Sequence, residues 1–366
     1  ASAKTPADYS NKDAASQFGT LMTWIMSLFA WLLGVAALTL NYAVLYTVVT
    51  MGDYVNSLSA VGVTWRILRD LGNIIIIFGF LAIGITTILN VNWYGGKMKM
   101  LPMLLVSAVF LNFSLFMTEA VIDTGNLFAT QFYTQINGGV SPTREALSGV
   151  TVGTFGSGSI GNEAISNAIM GQLGLQTIYG KVRTDPKIFE GANTWLIGFM
   201  GTILFIIAAF VMFSLAFILI ARFVILLFLI IISPVAFAGL AIPQLASMAK
   251  KWWSTLFEQT LTAPVLLLLL YVALAVITDV NFLTGSCGKG TCTKNFLGFV
   301  DGNDLPGFGG MVLSFLVAMG LLLAVTIFSK KLSAFGGGWA TKTAGKLSFG
   351  ATAWAGRTSG GWLAQK

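Results

Sequence analysis

The chain contains no histidine. That removes imidazole general bases, histidine metal ligands and histidine pH switches in one step. Cysteine is nearly absent too: Cys287 and Cys292 both lie in the short polar loop Gly285-Ser-Cys-Gly-Lys-Gly-Thr-Cys-Thr293. A zinc site wants four ligands, which two thiols without imidazole cannot supply. A disulfide closing this loop in an oxidising compartment is the expectation, with two inert thiols as the alternative. Charge is scarce as well, at 10% of residues, against roughly 25% in soluble domains. No glycine-rich phosphate loop followed by Lys-Ser or Lys-Thr occurs, which argues against ATP hydrolysis. No catalytic constellation emerges, so the expectation is a non-enzyme with no cofactor and no metal.

What remains is apolar. Hydrophobic residues make up 56% of the 366, and mean hydropathy is +0.82. These values imply an all-α, polytopic transmembrane bundle of six or seven spans with a polar insertion. The net charge of +7 sits mostly in short loops and the tail, where topology and lipid contact account for it. The stretch that organises the chain runs from Asn193 to Pro243. Between Thr194 and Ile232 its one ionisable residue is Arg222. An arginine near a bilayer centre costs at least ~2.5 kcal/mol on insertion scales, so it must face protein, water or the interface. Pro234 and Pro243 lie where the apolar run breaks up.

Taken in order, residues 1–19 are a polar tail, and residues 20–123 are a membrane region with three spans. These are expected at Thr20–Met51, Asn73–Asn90 and Leu101–Ile122. An interfacial helix start is expected at Trp65-Arg-Ile-Leu-Arg-Asp70, and a basic turn at Gly95-Gly-Lys-Met-Lys99. Residues 124–193 form a Gly-, Ser-, Thr- and Asn-rich insertion. Within it Ile160, Ala164, Ile165, Ala168, Ile169 and Leu173 recur at the spacing of a short amphipathic helix. The insertion is expected to fold against the membrane part or a partner. Residues 194–329 hold three or four further spans, with a basic turn at Lys250-Lys251-Trp252-Trp253 and a cysteine loop at 279–308. Residues 330–366 are a basic, Gly/Ala-rich tail with three tryptophans, read either as an interfacial or partner-bound segment or as plain tail. The chain begins Ala-Ser-Ala, which would suit a mature protein whose signal peptide had been removed, and equally a boundary of other origin.

Span parity is open at this stage. Thr194 to Ile232 would be about 58 Å long as one helix at ~1.5 Å per residue, nearly twice the ~30 Å hydrocarbon thickness. It is one overlong helix or two spans turning near its middle. No Gly or Pro near Arg222 marks such a turn, which favours continuity. The positive-inside rule favours seven spans with the insertion's basic residues counted, and six with them left out. Both arrangements put the tail and Lys250-Lys251 inside and the cysteine loop outside.

Four intramembrane or boundary charges stand out: Glu119, Arg222, Glu258 and Asp279. They could form a proton or ion pathway. Alternatively, Arg222 is a structural anchor, paired or snorkelling, and the acids mark span ends. Arg222 with Glu258 is the first pair to test. Small residues such as Gly79, Ala82 and Gly84, or Ala208, Ala209 and Ala216, would allow close helix approach.

Two segments resemble a known family. Leu111-Asn-Phe-Ser-Leu-Phe116 followed by Val121-Ile-Asp-Thr-Gly-Asn126 looks like the span-end motif of TrbL-like proteins, and so highlights Asn112, Asp123 and Asn126. The second block is Arg222-Phe-Val-Ile-Leu226, then Ser233-Pro234-Val-Ala-Phe237, Pro243, Trp252-Trp253, Gln259 and Ala263-Pro264. TrbL-like proteins are polytopic inner-membrane subunits of bacterial type IV secretion and conjugation systems, and versions from candidate-phylum bacteria are especially similar. The resemblance covers about a third of the chain and leaves out the insertion and the tail. It implies a subunit that forms a ring with other copies of itself and with other secretion-system components. Separate ATPases would supply energy, and DNA or protein would pass through or a pilus would grow from the platform. It also implies a cytoplasmic tail, an extracytoplasmic cysteine loop and an outer-side central loop, the last favouring six spans. The competing reading is a secondary transporter or ion channel using Arg222 and the nearby acids.

Overall fold

Backbone that crosses hydrocarbon must satisfy its own polar groups, which leaves helices or closed barrels. In the computed structural model every described element is helical. The structure describes residues 6–89, 97–139, 142, 165, 166, 169, 194–240, 242, 245–277 and 316–328. Cys287, Cys292, Asp279 and Pro243 lie outside them, as does nearly all of the tail and most of the insertion.

Helix α1 runs Pro6–Val44 and continues as a π-helical segment, Leu45–Val49. The polar stretch before Thr20 is thus helical from Pro6, a residue whose fixed φ suits a first helical position. After a bend at Thr50 come α2, Met51–Ser57, and α3, Ser59–Ile88. The proposed interfacial piece at Trp65 and the second span are one unbroken helix. Helix α4 spans Lys97–Asn112 and α5 spans Ser114–Ile136. They meet at Phe113 with a bend of 69°, inside the stretch Leu101–Ile122 where the third span was expected. Helix α6 is Thr194–Ala238, α7 is Ala246–Ile277 and α8 is Leu316–Phe328.

Four of these helices hold segments long and apolar enough to cross a membrane, and five if α4 with α5 is one span. The described residues are thus all helical, and the chain is a multi-pass membrane protein. Helix α6 settles the continuity of the organising stretch, because 45 residues pass Arg222 without a turn. Pro234 lies inside this helix, four residues before its end. Proline cannot donate to the carbonyl of Ile230 four residues back, and the Ser233 hydroxyl donates to that oxygen instead at 2.7 Å. Likewise Lys250-Lys251-Trp252-Trp253 lies within α7 rather than in a turn.

The insertion begins later than its composition suggests, since Thr124 to Ile136 belong to α5. Ile122, Asn126, Ala129, Tyr133 and Ile136 are all buried, and they recur at helical spacing along one face. That burial overrides the weak helix propensity of Thr, Gly and Asn. The helix stops where Gly138 and Gly139 take φ of 65° and 94°. The Gly139 N–H bonds the Thr134 carbonyl at 2.8 Å, the long closure of a glycine-terminated helix.

The chain divides into two compact units. The first draws on Ala1–Val49, Thr130–Leu219 and Leu266–Phe328. In it, buried Asn41 donates to Ser166 Oγ at 2.7 Å and accepts from the Ser166 N–H at 3.3 Å. The Ile165 N–H donates to Tyr133 Oη at 3.1 Å. Ile165, Ser166 and Ile169 are helical and buried, so this part of the predicted amphipathic helix packs its apolar face onto α1 and α5. Ala208, Ala209 and Ala216 are buried here as well.

The second unit draws on Thr50–Ala129 and Ile220–Val265. Helices α3 and α4 pack as antiparallel neighbours through glycine notches one heptad apart. A Cβ on Gly72 would meet Leu111 Cδ1 at 2.6 Å, and one on Gly79 would meet Leu104 Cδ1 at 3.1 Å. Seven residues forward on α3 match seven back on α4, the repeat of helices packed at a shallow angle. Gly84, also expected at a helix contact, has open space around it. Trp65 Nε1 donates to Ser114 Oγ at 3.1 Å and so ties α3 to the start of α5. Asn73 and Asn112 exchange amide hydrogen bonds at 3.4 and 3.3 Å. Only 11% of the most apolar window of α3 is buried, against 56% for α7, so most of α3 presents apolar surface to its surroundings.

Candidate functional site

The site forms in the second unit, where α5, α6 and α7 bring the two sequence blocks together. Helices α6 and α7 run antiparallel, with Trp252 Nε1 donating to the Leu229 carbonyl at 3.1 Å. One heptad further on, Arg222 Nε donates to the Gln259 carbonyl at 2.7 Å. A heptad rises about 10 Å, so the arginine sits well inside the helix pair.

Arg222 is 1% exposed and is the largest fully buried side chain among the described residues. Its Nη2 donates to Asn126 Oδ1 on α5 at 2.6 Å. The amide of Asn126 is in turn set by its other end, with Nδ2 donating to Met51 Sδ at 3.5 Å. A guanidinium offers five donors in a fixed fork. Here the fork binds one backbone carbonyl and one side-chain amide on two different helices, so it joins three helices at one point.

A proline bears on the next carbonyl along α7, that of Thr260. Pro264 lies inside α7. It has no N–H to give the Thr260 carbonyl four residues back. Thr260 then packs against Gly125 of α5. A Cβ there would lie 2.4 Å from Thr260 Cγ2 and 2.8 Å from the Thr260 carbonyl oxygen. Glycine is required for that approach, which suits a Cα–H···O contact to the freed carbonyl. Thr260 Oγ1 is buried with no hydrogen-bond partner.

Beyond Trp252 an aromatic cluster closes the α6–α7 end. Phe237 meets Trp252 at 5.8 Å and Trp253 at 5.4 Å between ring centroids, and the two tryptophans meet edge-on at 5.0 Å. Trp253 stacks on Phe257 at 5.8 Å. The Ser107 hydroxyl of α4 donates to the Phe237 carbonyl, and Phe110 stands 6.2 Å from the Phe237 ring. Gly239 lies against Leu245 and Ala249, where a Cβ would meet oxygen and carbon at 3.0 Å. This fixes the tight return between the helices.

Of the residues singled out from sequence, the structure thus brings Asn126, Arg222 and Gln259 together, with Pro264 one turn away. Ser233 and Pro234 act as one unit within α6, and Trp252 and Trp253 as another. Asn112 pairs with Asn73 instead. Glu258 is half-buried and neighbours Gln259, but the described bonds of Arg222 go to the Gln259 carbonyl and to Asn126. Glu119 is half-buried and Asp123 exposed, one turn apart on α5. Among the described residues no group of three or more metal-ligating side chains occurs. Sequence reasoning missed Met51, Ser107, Gly125 and Thr260. Thr260 was signalled by its position four before Pro264, and Gly125 by its place next to Asn126; Met51 and Ser107 carried no signal.

No family model, curated protein or solved structure matches the chain. The arrangement therefore speaks for itself. Two of the contacts that Arg222 makes are to the Gln259 carbonyl of α7 and the Asn126 amide oxygen of α5.

Proposed function

We propose that this protein is a structural, channel-forming subunit of a type IV secretion-like machine in the bacterial inner membrane. It would assemble in a ring with copies of itself and with other secretion subunits, separate ATPases among them, for passage of DNA or protein or for pilus growth. The observation that carries the reading is the meeting of the two TrbL-like blocks, Asn112–Asn126 and Arg222–Pro264, around a buried arginine. Residues that share a motif pattern but lie about a hundred positions apart are here parts of one interlock.

The same reading takes six spans, with the tail cytoplasmic and the cysteine loop extracytoplasmic. It is supported by the unbroken α6. It is also supported by the Ser107–Phe237 contact, which puts the start of α4 at the same end as Lys250 and Lys251. In the seven-span arrangement those two basic segments would fall on opposite sides.

A structural subunit has no transport cycle of its own. The purified chain reconstituted alone in liposomes should leave imposed proton and sodium gradients as stable as in empty vesicles. A gradient-driven flux that disappears in Arg222→Lys would contradict the proposal and favour a secondary transporter.

A further inference from the structure

Two lysine pairs on different helices lie toward the same end of the second unit. The chain passes from Ser107, bonded to Phe237, to Asn126, bonded to Arg222, so α4–α5 runs opposite to α6. Lys97 and Lys99, in the first turn of α4, therefore lie at the end marked by Phe237. Lys250 and Lys251, in the first turns of α7, lie at that end too, beyond Trp252, and both are exposed. No Asp or Glu occurs between Asp70 and Glu119 or between Glu190 and Glu258, so neither lysine pair has a local counter-charge along the chain.

These lysines border an apolar surface. On α4, Leu101, Met103 and Leu105 are exposed directly after them, as is Met248 before Lys250. Surface of that kind in a spanning helix is covered by acyl chains, and the groups next along the helix axis are then at headgroup depth. Trp253, half-buried beside the lysines, has the amphipathic ring favoured there. Cations at that depth attract anionic headgroups in preference to zwitterionic ones.

We propose that Lys97, Lys99, Lys250 and Lys251 form a binding surface for anionic phospholipid headgroups at the α4 and α7 end of the second unit. This rests on the membrane-spanning reading and is independent of the secretion partners. The test uses the full chain in bilayers of phosphatidylcholine with a minor share of phosphatidylglycerol, and measures by native mass spectrometry which lipid stays bound. The wild-type chain should retain phosphatidylglycerol in excess over its share of the bilayer. The variant K97Q/K99Q/K250Q/K251Q should lose that enrichment about tenfold, and the corresponding four Lys→Arg changes should keep it. Should the fourfold glutamine variant fail to fold, K250Q/K251Q is read the same way, since both side chains are exposed.

Unchanged enrichment in the glutamine variant overturns the proposal. So does loss of enrichment in K342Q/K346Q/R357Q, which would move the binding to the tail. A wild-type chain that enters the bilayer but enriches neither lipid overturns the proposal alone. One that does not enter the bilayer overturns the spanning assignment with it.

Discussion

Arg222→Ala is expected to give the largest loss of folded protein of any single substitution in the second unit. The change leaves Asn126 Oδ1 and the Gln259 carbonyl without the donors that now reach them at 2.6 and 2.7 Å. Each buried group left unpaired costs about 1–3 kcal/mol, and the emptied volume adds a cavity term. Arg222→Met fills that volume and so isolates the polar part of the loss. Arg222→Lys keeps the charge but has no planar fork, so it can serve one acceptor well and the other poorly. The expected order of thermal midpoint in mild detergent is wild type, then Lys, then Met, then Ala. If the Ala variant melts with the wild type, the arginine is no interlock. Asn126→Ala provides the coupled partner. The double variant should cost less than the two single losses added, as contacting residues do.

Gly125→Ala is expected to follow closely, and it separates two kinds of glycine. At Gly72 an added methyl meets the tip of Leu111, which can rotate away, so Gly72→Ala should be mild. At Gly125 the added methyl meets the Thr260 backbone oxygen at 2.8 Å. Backbone cannot rotate away, so α5 and α7 must separate, and overpacking of that sort costs about 1–3 kcal/mol. Thr260→Ser removes Cγ2 and relieves only the side-chain part of the conflict. The combined Gly125→Ala/Thr260→Ser variant should therefore remain destabilised. Full recovery in a thermal melt would show that the carbonyl contact does not hold the helices together.

How legible this was from sequence differed from element to element. The continuity of α6 was visible because nothing near Arg222 could turn a helix. How Pro234 is kept within α6 was not visible, since it depends on the preceding serine occupying the carbonyl that the proline frees. The start of the insertion was misplaced because Thr124, Gly125 and Asn126 have loop composition. The burial of Gly125 and Asn126 is a tertiary fact, set by α6 and α7. The 69° bend at Phe113 had no proline or glycine to announce it. Within the site, sequence singled out the anchor and three of the residues around it. It did not pair them, because Asn126 and Arg222 are brought together only by how three helices stack. Glu258 attracted attention by its charge, while its neighbour Gln259 serves Arg222 through a backbone atom that side-chain identity does not encode.

The buried arginine in this account serves assembly rather than transport. The most direct test is the mass and composition of the complex extracted from native membranes in mild detergent, compared between wild type and Arg222→Ala. The account predicts a large ring-sized assembly containing other secretion subunits in the wild type, and a clear fall in its yield in the variant. A monomer or dimer without secretion partners in the wild type would contradict the account. So would an assembly whose yield is indifferent to Arg222.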